Sequence, residues 1–327
     1  MIYLDNGILV SFSDGTNFRF DPQRYSENDI NLISHAHSDH LPSRCKGGEF
    51  VMSEITQLLI GIRKKVATKI IAHDRVQLFD AGHVVGSHMF RIDGERRVVC
   101  TGDFCTREKF FTKGAKPVKT DILIVESTFG HEKYIFPETE KVESEILDCV
   151  EDCFSRGRSV AIMAYPFGKA QEITFLLRDY HPYVTKEIYD INENLRSFGY
   201  KFNQRQFESR ELKRSNDPFV LVTTSSRKTQ LDTMSKFKNR EIRTIAVSGW
   251  AVNSGYGYFK GIDYAFPLSD HADFNDLLKF VDGCQPELVY TCHGFSTQFA
   301  GSVRKKLGIE AMPLKKGQLS LHSFVAL

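Results

Sequence analysis

The sequence predicts an α/β protein, an αββα sandwich that carries a short inserted α/β domain. Three observations lead there. Residues 1–135 read as short strands separated by turns, residues from about 140 alternate helix with buried strand, and strand-and-loop character returns from Val247. Two strand-rich layers flanked by helices make an αββα sandwich, and the interruption in its middle makes an insert. The boundaries are expected at 1–139 with 247–327 for the outer domain and 140–246 for the insert.

The elements follow in order. Residues 7–12 and 18–20 are apolar runs joined by Ser13-Asp14-Gly15, a hairpin signal. The run Ile30-Asn31-Leu32-Ile33 is a further strand, and residues 53–65 are helical with Ser53 as N-cap. Residues 75–79, 97–100 and 121–125 are strand candidates. In the insert, residues 141–155 place Val142, Ile146, Leu147, Val150 and Phe154 at helical spacing. Ser159-Val160-Ala161-Ile162-Met163 is a buried strand, 165–169 a turn and 170–177 a helix, with strands again at 220–223 and 242–247.

Composition sets few bounds. The 327 residues are 41% hydrophobic and 26% charged, ordinary for a globular protein, and the net charge of +2 gives no global argument for a nucleic-acid partner. No apolar run approaches a membrane span, and the first residues lack a signal-peptide pattern. Seven cysteines without a CxxC pair fit a reducing compartment, so a cytoplasmic protein is expected. Cys149 and Cys153, one helical turn apart, read as a core-facing pair.

The chemistry is concentrated in His35-Ala36-His37-Ser38-Asp39-His40, which ends the apolar strand. His35 and His37 lie two apart, so on extended backbone they point the same way and can share one metal. Asp39 and His40 follow where the chain turns at Leu41-Pro42 and can face a second. Imidazole and carboxylate together suit zinc, with manganese or iron as alternatives. Four single candidates, His83, Asp103, His271 and His293, each sit at a strand end or glycine-bearing turn. Any one alone reads as a structural histidine or turn aspartate; in order behind the histidine run they read as ligands and catalytic groups.

These residues and their surroundings resemble the β-CASP group of metallo-β-lactamase-fold nucleases. The resemblance runs through Ala81-Gly82-His83-Val84-Val85-Gly86-Ser87, Thr101-Gly102-Asp103-Phe104 and Glu126-Ser127-Thr128-Phe129-Gly130. It continues through Phe167-Gly168-Lys169-Ala170-Gln171-Glu172, Ser248-Gly249-Trp250, Leu268-Ser269-Asp270-His271-Ala272-Asp273 and His293-Gly294. The short insert is most similar to compact members, either exonucleases associated with DNA ligases or archaeal mRNA 3′-end-processing-like proteins. The resemblance implies a metallo-β-lactamase domain holding two divalent metal ions, Zn2+ ahead of Mn2+. His35, His37 and His83 would hold one, and Asp39, His40 and His293 the other, with Asp103 bridging. Asp21, ahead of its rival Asp14, would orient ligands from behind. Two cations about 3.5–4 Å apart lower the pKa of a bridging water, whose hydroxide attacks phosphorus. His271 would protonate the leaving oxygen, aimed by Glu126.

The expected partner is single-stranded RNA or DNA, with a homodimer allowed and no membrane. Residues 195–243 hold twelve Lys/Arg against five Asp/Glu, with Phe198, Tyr200, Phe202, Phe207 and Phe219 interleaved. Such mixtures bind single strands through phosphates and stacked bases. Lys109, Lys113 and Lys116 add a basic loop, and Ser225, Ser226, Arg227, Lys228 and Lys169 are candidate substrate contacts. His293 is associated in the group with RNA-acting members, which puts RNA processing or decay ahead of a DNA-repair exonuclease. A thioester or lactam hydrolase of the same fold would need neither Glu126, His271 nor the insert, and a non-catalytic scaffold would lack ligands.

Overall fold

The computed structural model describes residues 1–207, 217–224, 241–259 and 261–316. The chain divides into two compact units, Met1–Tyr134 with the segment from His271 onward, and Ile135–Asp270. Four strands open the chain: β1 (Ile2–Leu4), β2 (Ile8–Ser11), β3 (Asn17–Phe20) and β4 (Ile30–Leu32). The first three form an antiparallel meander and β4 joins β3 in parallel. Asp14 closes the β2–β3 turn by accepting from the Thr16 amide at 2.8 Å, with Gly15 at φ +86°. Its other oxygen pairs with Arg75 at 2.8 Å, so Asp14 serves the turn and this ion pair. After β5 (Glu49–Phe50) comes α1 (Glu54–Lys64), N-capped by Ser53 Oγ and ended by Lys65 in the left-handed region, then β6 (Lys69–Ile70). The strands β7 (Val76–Asp80), β8 (His88–Ile92), β9 (Val98–Cys100) and β10 (Ile122–Glu126) follow.

The second unit runs through α2 (Thr139–Ser155), β11 (Ser159–Met163), α3 (Lys169–Leu176), β12 (Tyr183–Val184), α4 (Lys186–Leu195) and β13 (Arg205–Gln206). It ends with β14 (Val220–Thr223), β15 (Ile242–Val247) and β16 (Tyr264–Phe266). Its six strands pair only in parallel, in the order β13-β12-β14-β11-β15-β16. The central strands β11 and β14 are buried throughout, as covered parallel strands require. Cys153 is buried in this unit's core with Cys149 packed beside it. The strand β16 pairs in register with β15, and this unit continues to Asp270.

The chain re-enters the first unit with α5 (Phe274–Cys284), β17 (Leu288–Cys292), α6 (Ser296–Leu307) and β18 (Glu310–Pro313). A six-stranded sheet, β18-β17-β10-β9-β8-β7, results, parallel from β18 to β9 and antiparallel beyond. One face packs Phe90, Ile92, Val98 and Ile124 against Ile8, Val10, Phe18 and Phe20 of the four-stranded sheet. The other buries Leu123, Val125 and Val289 under Leu277, Phe280, Phe299 and Val303 of α5 and α6. Burial of each such side chain contributes roughly 1.5–3 kcal/mol. The Phe274 amide donates to the Tyr134 carbonyl at 3.0 Å, joining the two ends of the first unit where the chain leaves and returns. Among the described residues no helix is long and apolar enough to cross a membrane.

Candidate metal centre

The candidate site lies in the first unit, on segments that follow strands β4, β7, β9, β10 and β17. Parallel register places Glu126, at the end of β10, beside Cys292, at the end of β17. The residues just beyond therefore meet. His293 itself takes φ +58° and Asp21 φ +43°, left-handed backbone that costs a residue with a Cβ roughly 1–3 kcal/mol. Gly294 next to His293 is required by space, since a Cβ there would meet the Thr128 Cα at 2.4 Å.

Three groups of ligand atoms converge, each within 4.8 Å of one another: His35, His37, His83 and Asp103; His40, Asp103 and His293; and Asp103, Glu126 and His271. Asp103 belongs to all three. Its Oδ2 lies 3.3 Å from His40 Nε2, 3.7 Å from His83 Nε2 and 3.8 Å from His35 Nε2. Asp39 stands apart: its carboxylate is 75% exposed and 3.9 Å from His40 Nε2, outside the three groups.

The donor set fits a metal. His83 Nε2 and His37 Nδ1 lie 3.2 Å apart, close to the spacing of about 3.3 Å between nitrogens bound at 2.0–2.1 Å in a tetrahedral zinc site. Buried His35 Nε2 has no hydrogen-bond partner, a costly state for a polar atom unless a cation takes its lone pair. The tautomer agrees. Ser34 Oγ donates its one proton to Asp21 Oδ2 at 2.6 Å, so at 2.9 Å it accepts from His35 Nδ1. The lone pair is then on Nε2, facing the centre.

Electrostatics point the same way. Burial pushes His35 well below the usual histidine pKa, and the neighbouring histidines add to the effect, leaving it the neutral ligand form. His40 goes the other way: burial opposes its charge, but Asp103 and Asp21 outweigh it and raise its pKa well above normal. Burial would raise Asp103, yet His40, then His271 and His83, hold it well below the carboxylate range. Cys100 nearby is pushed up to about 12 by burial and Cys292 well above the ordinary thiol range, so neither offers a thiolate.

The surrounding contacts orient the ligands. Asp21 accepts from His40 Nδ1 at 2.7 Å and from the Ser34 amide at 2.7 Å. Glu126, 1% exposed, accepts from the Thr128 amide at 2.8 Å and pairs with His271 Nδ1 at 2.8 Å. Lys109, read from the sequence as part of a basic loop, donates to the His83 carbonyl; Ser34 and Arg63, which donates to the Ala36 carbonyl between two histidines, are given no role by the sequence. Ser34 alone carries a signal, its place immediately before His35; the other two act on backbone that no spacing announces.

The expected substrate contacts fare differently. Ser225, Ser226, Arg227 and Lys228, with much of the basic segment, lie outside the described residues. Lys169, a candidate substrate contact in the sequence, is 4% exposed, its ammonium 2.5 Å from Glu172 and 2.9 Å from Asp270, so it holds the protein's own carboxylates. Phe202 and Phe219 are buried and half-buried Phe207 packs with Phe219, so these rings serve the core, whereas Phe198 is 37% exposed. Arg196 pairs with Glu193, Arg243 with Glu241 and Asp263, and Arg205 covers Tyr183.

The site is thus a histidine- and aspartate-rich centre of the kind that holds metal ions in hydrolases. No family model matches the chain. It is similar to a probable DNA ligase of Opitutus terrae, 32% identical over 89% of this chain and 29% of that protein. It is also similar to the RNase aCSPSF2 of Saccharolobus solfataricus, 22% identical over 97% of this chain and 80% of that one. A probable RNase of Methanocaldococcus jannaschii is 24% identical over 68% of this chain and 62% of its own length. The chain spans under a third of the ligase-named relative. The proteins it is similar to are nucleases of the β-CASP group of the metallo-β-lactamase fold.

Proposed function

We propose that this chain is a metal-dependent phosphodiesterase that hydrolyses single-stranded nucleic acid. The observation that carries the reading is the convergence on Asp103 of two histidine groups, with the His271–Glu126 pair at its edge. His35, His37 and His83 would hold one divalent ion and His40 and His293 the other, Asp103 serving both and Asp39 turning in to complete the second. Zinc or manganese bound there supplies a water of lowered pKa and charge neutralisation on the phosphate. Asp21 and Ser34 fix the rings of His40 and His35. Buried Glu126 accepts a hydrogen bond from His271 Nδ1–H, so His271 Nε2 is the atom that delivers a proton to the leaving ribose oxygen. We read the first unit as an αββα metallo-β-lactamase sandwich and residues 140–246 as the body of a short inserted β-CASP domain.

RNA is the first substrate reading, supported by the relatives named as RNases and by one named endoribonuclease. DNA is the second, supported by the 32% identity to the ligase-named protein, which extends along 89% of this chain. Matched RNA and DNA oligonucleotides, labelled separately at each end and digested with zinc or manganese, decide between them. Cleavage that Asp103→Asn abolishes supports the reading, the preferred strand names the substrate, and the ladder gives the direction. Metal-loaded protein that cleaves neither strand refutes it.

A further inference from the structure

Two cavities of the first unit meet at one side chain. The first, about 780 Å³, starts at Asp39, His40 and His293, passes Asp5 and Asp21, and extends to Arg24 and Lys316. Its volume is within the range of cavities that take molecules of nucleotide size. The second, about 650 Å³, is lined by Arg24, Arg44, Lys46 and Lys64 with Tyr25 and Ser43, and no carboxylate lines it. Arg24 lines both. Its backbone is clamped by Asn6, whose amide group accepts from the Arg24 N–H at 2.7 Å and donates to its carbonyl at 2.8 Å.

We propose that these cavities form one track for the phosphodiester backbone, carrying the strand from the metal centre past Arg24 to Arg44, Lys46 and Lys64. The inference rests on the nuclease reading and assigns one side of its substrate path. Among the described residues no carboxylate pairs with Arg24, Arg44, Lys46 or Lys64, whereas Arg19, Arg97 and Arg243 of the same chain all have acidic partners. Lys64 also suits the C-terminal turn of α1, where a cation meets the helix dipole. Arg44 and Lys46 have no such reason, standing exposed in the loop that follows the histidine run. Like charges gathered without a counter-charge repel one another, and a polyanion that spans them removes that cost. Contacts of this kind read phosphates without reading bases, so they suit RNA and DNA alike.

The test measures salt-dependent binding of long single-stranded RNA and DNA to the full chain by fluorescence anisotropy, in a His271→Ala background with metal present to slow cleavage. Combined Arg44→Ala, Lys46→Ala and Lys64→Ala should weaken binding and lower the slope of log affinity against log salt by roughly two, at about 0.7 per lost phosphate contact. Lys46→Arg with Lys64→Arg should keep the slope, and thermal denaturation of every variant should match the parent. RNA and DNA should lose equally. An unchanged slope in the triple variant, with the parent chain still cleaving long strands, overturns the track alone. A parent that neither binds nor cleaves either strand removes the nuclease reading and the track with it.

Discussion

The sharpest test of the proposed chemistry is His271→Ala, read on two leaving groups. Glu126 is buried and anchored by the Thr128 amide, so its pairing with His271 Nδ1 is built into the fold. Removing the ring removes the acid and leaves a ribose oxygen to depart as alkoxide. General acid catalysis contributes about 10²–10⁴-fold, or about 2.7–5.4 kcal/mol of barrier. On an oligonucleotide His271→Ala should therefore lose that much of kcat. On a nucleotide nitrophenyl ester, whose leaving phenolate needs no proton, most of the loss should disappear. Metal content measured on the same samples completes the assay, because His271 also stands within 4.8 Å of Asp103 and Glu126 as a potential ligand. Equal losses on both substrates, or bound metal falling with the substitution, refute the general-acid assignment.

Other consequences are open to direct measurement. Asp21→Asn removes the acceptor that aims His40 and Ser34→Ala the link between Asp21 and His35; each should weaken zinc binding about 10–100-fold by competition titration. His40 has a raised pKa, so in metal-free protein its stabilising contribution is full below the unfolded value and is lost as pH rises through the folded one. A metal must displace that proton, and zinc affinity should fall about tenfold per pH unit as pH drops below the folded value, with proton release visible by calorimetry in buffers of different ionisation enthalpy. Lys169→Ala leaves Glu172 and Asp270 without their buried ammonium and should cost about 3–5 kcal/mol in urea denaturation.

The ligand histidines are legible because their residue type is scarce and their spacing is read directly off an extended strand. Three histidines and one aspartate in the six residues from His35 to His40 announce a centre from sequence alone. What orients them is less visible. Ser34 and Arg63 are common residues that act through one oxygen or one backbone carbonyl, and only the folded chain brings them there. The strand β8 mixes His88 and Arg91 with apolar residues, and β16 is three residues long, so neither has the apolar run that marks β11. The phenylalanines of the basic segment show a further limit, since composition cannot separate a ring that faces solvent from one that fills a core. Phe202 and Phe219 fill it, and Phe198 faces solvent.

The hydrogen bond between Phe274 and Tyr134 means that the first unit's chain leaves and returns through a single doorway. A tether anchored at such a doorway is topologically neutral: its ends are already together, so its length is nearly free to drift. Doubling the intervening segment changes closure entropy by only about 0.6 kcal/mol. The scaffold can therefore accept attachments of very different sizes at this point while the strand ends that carry its histidines keep their register.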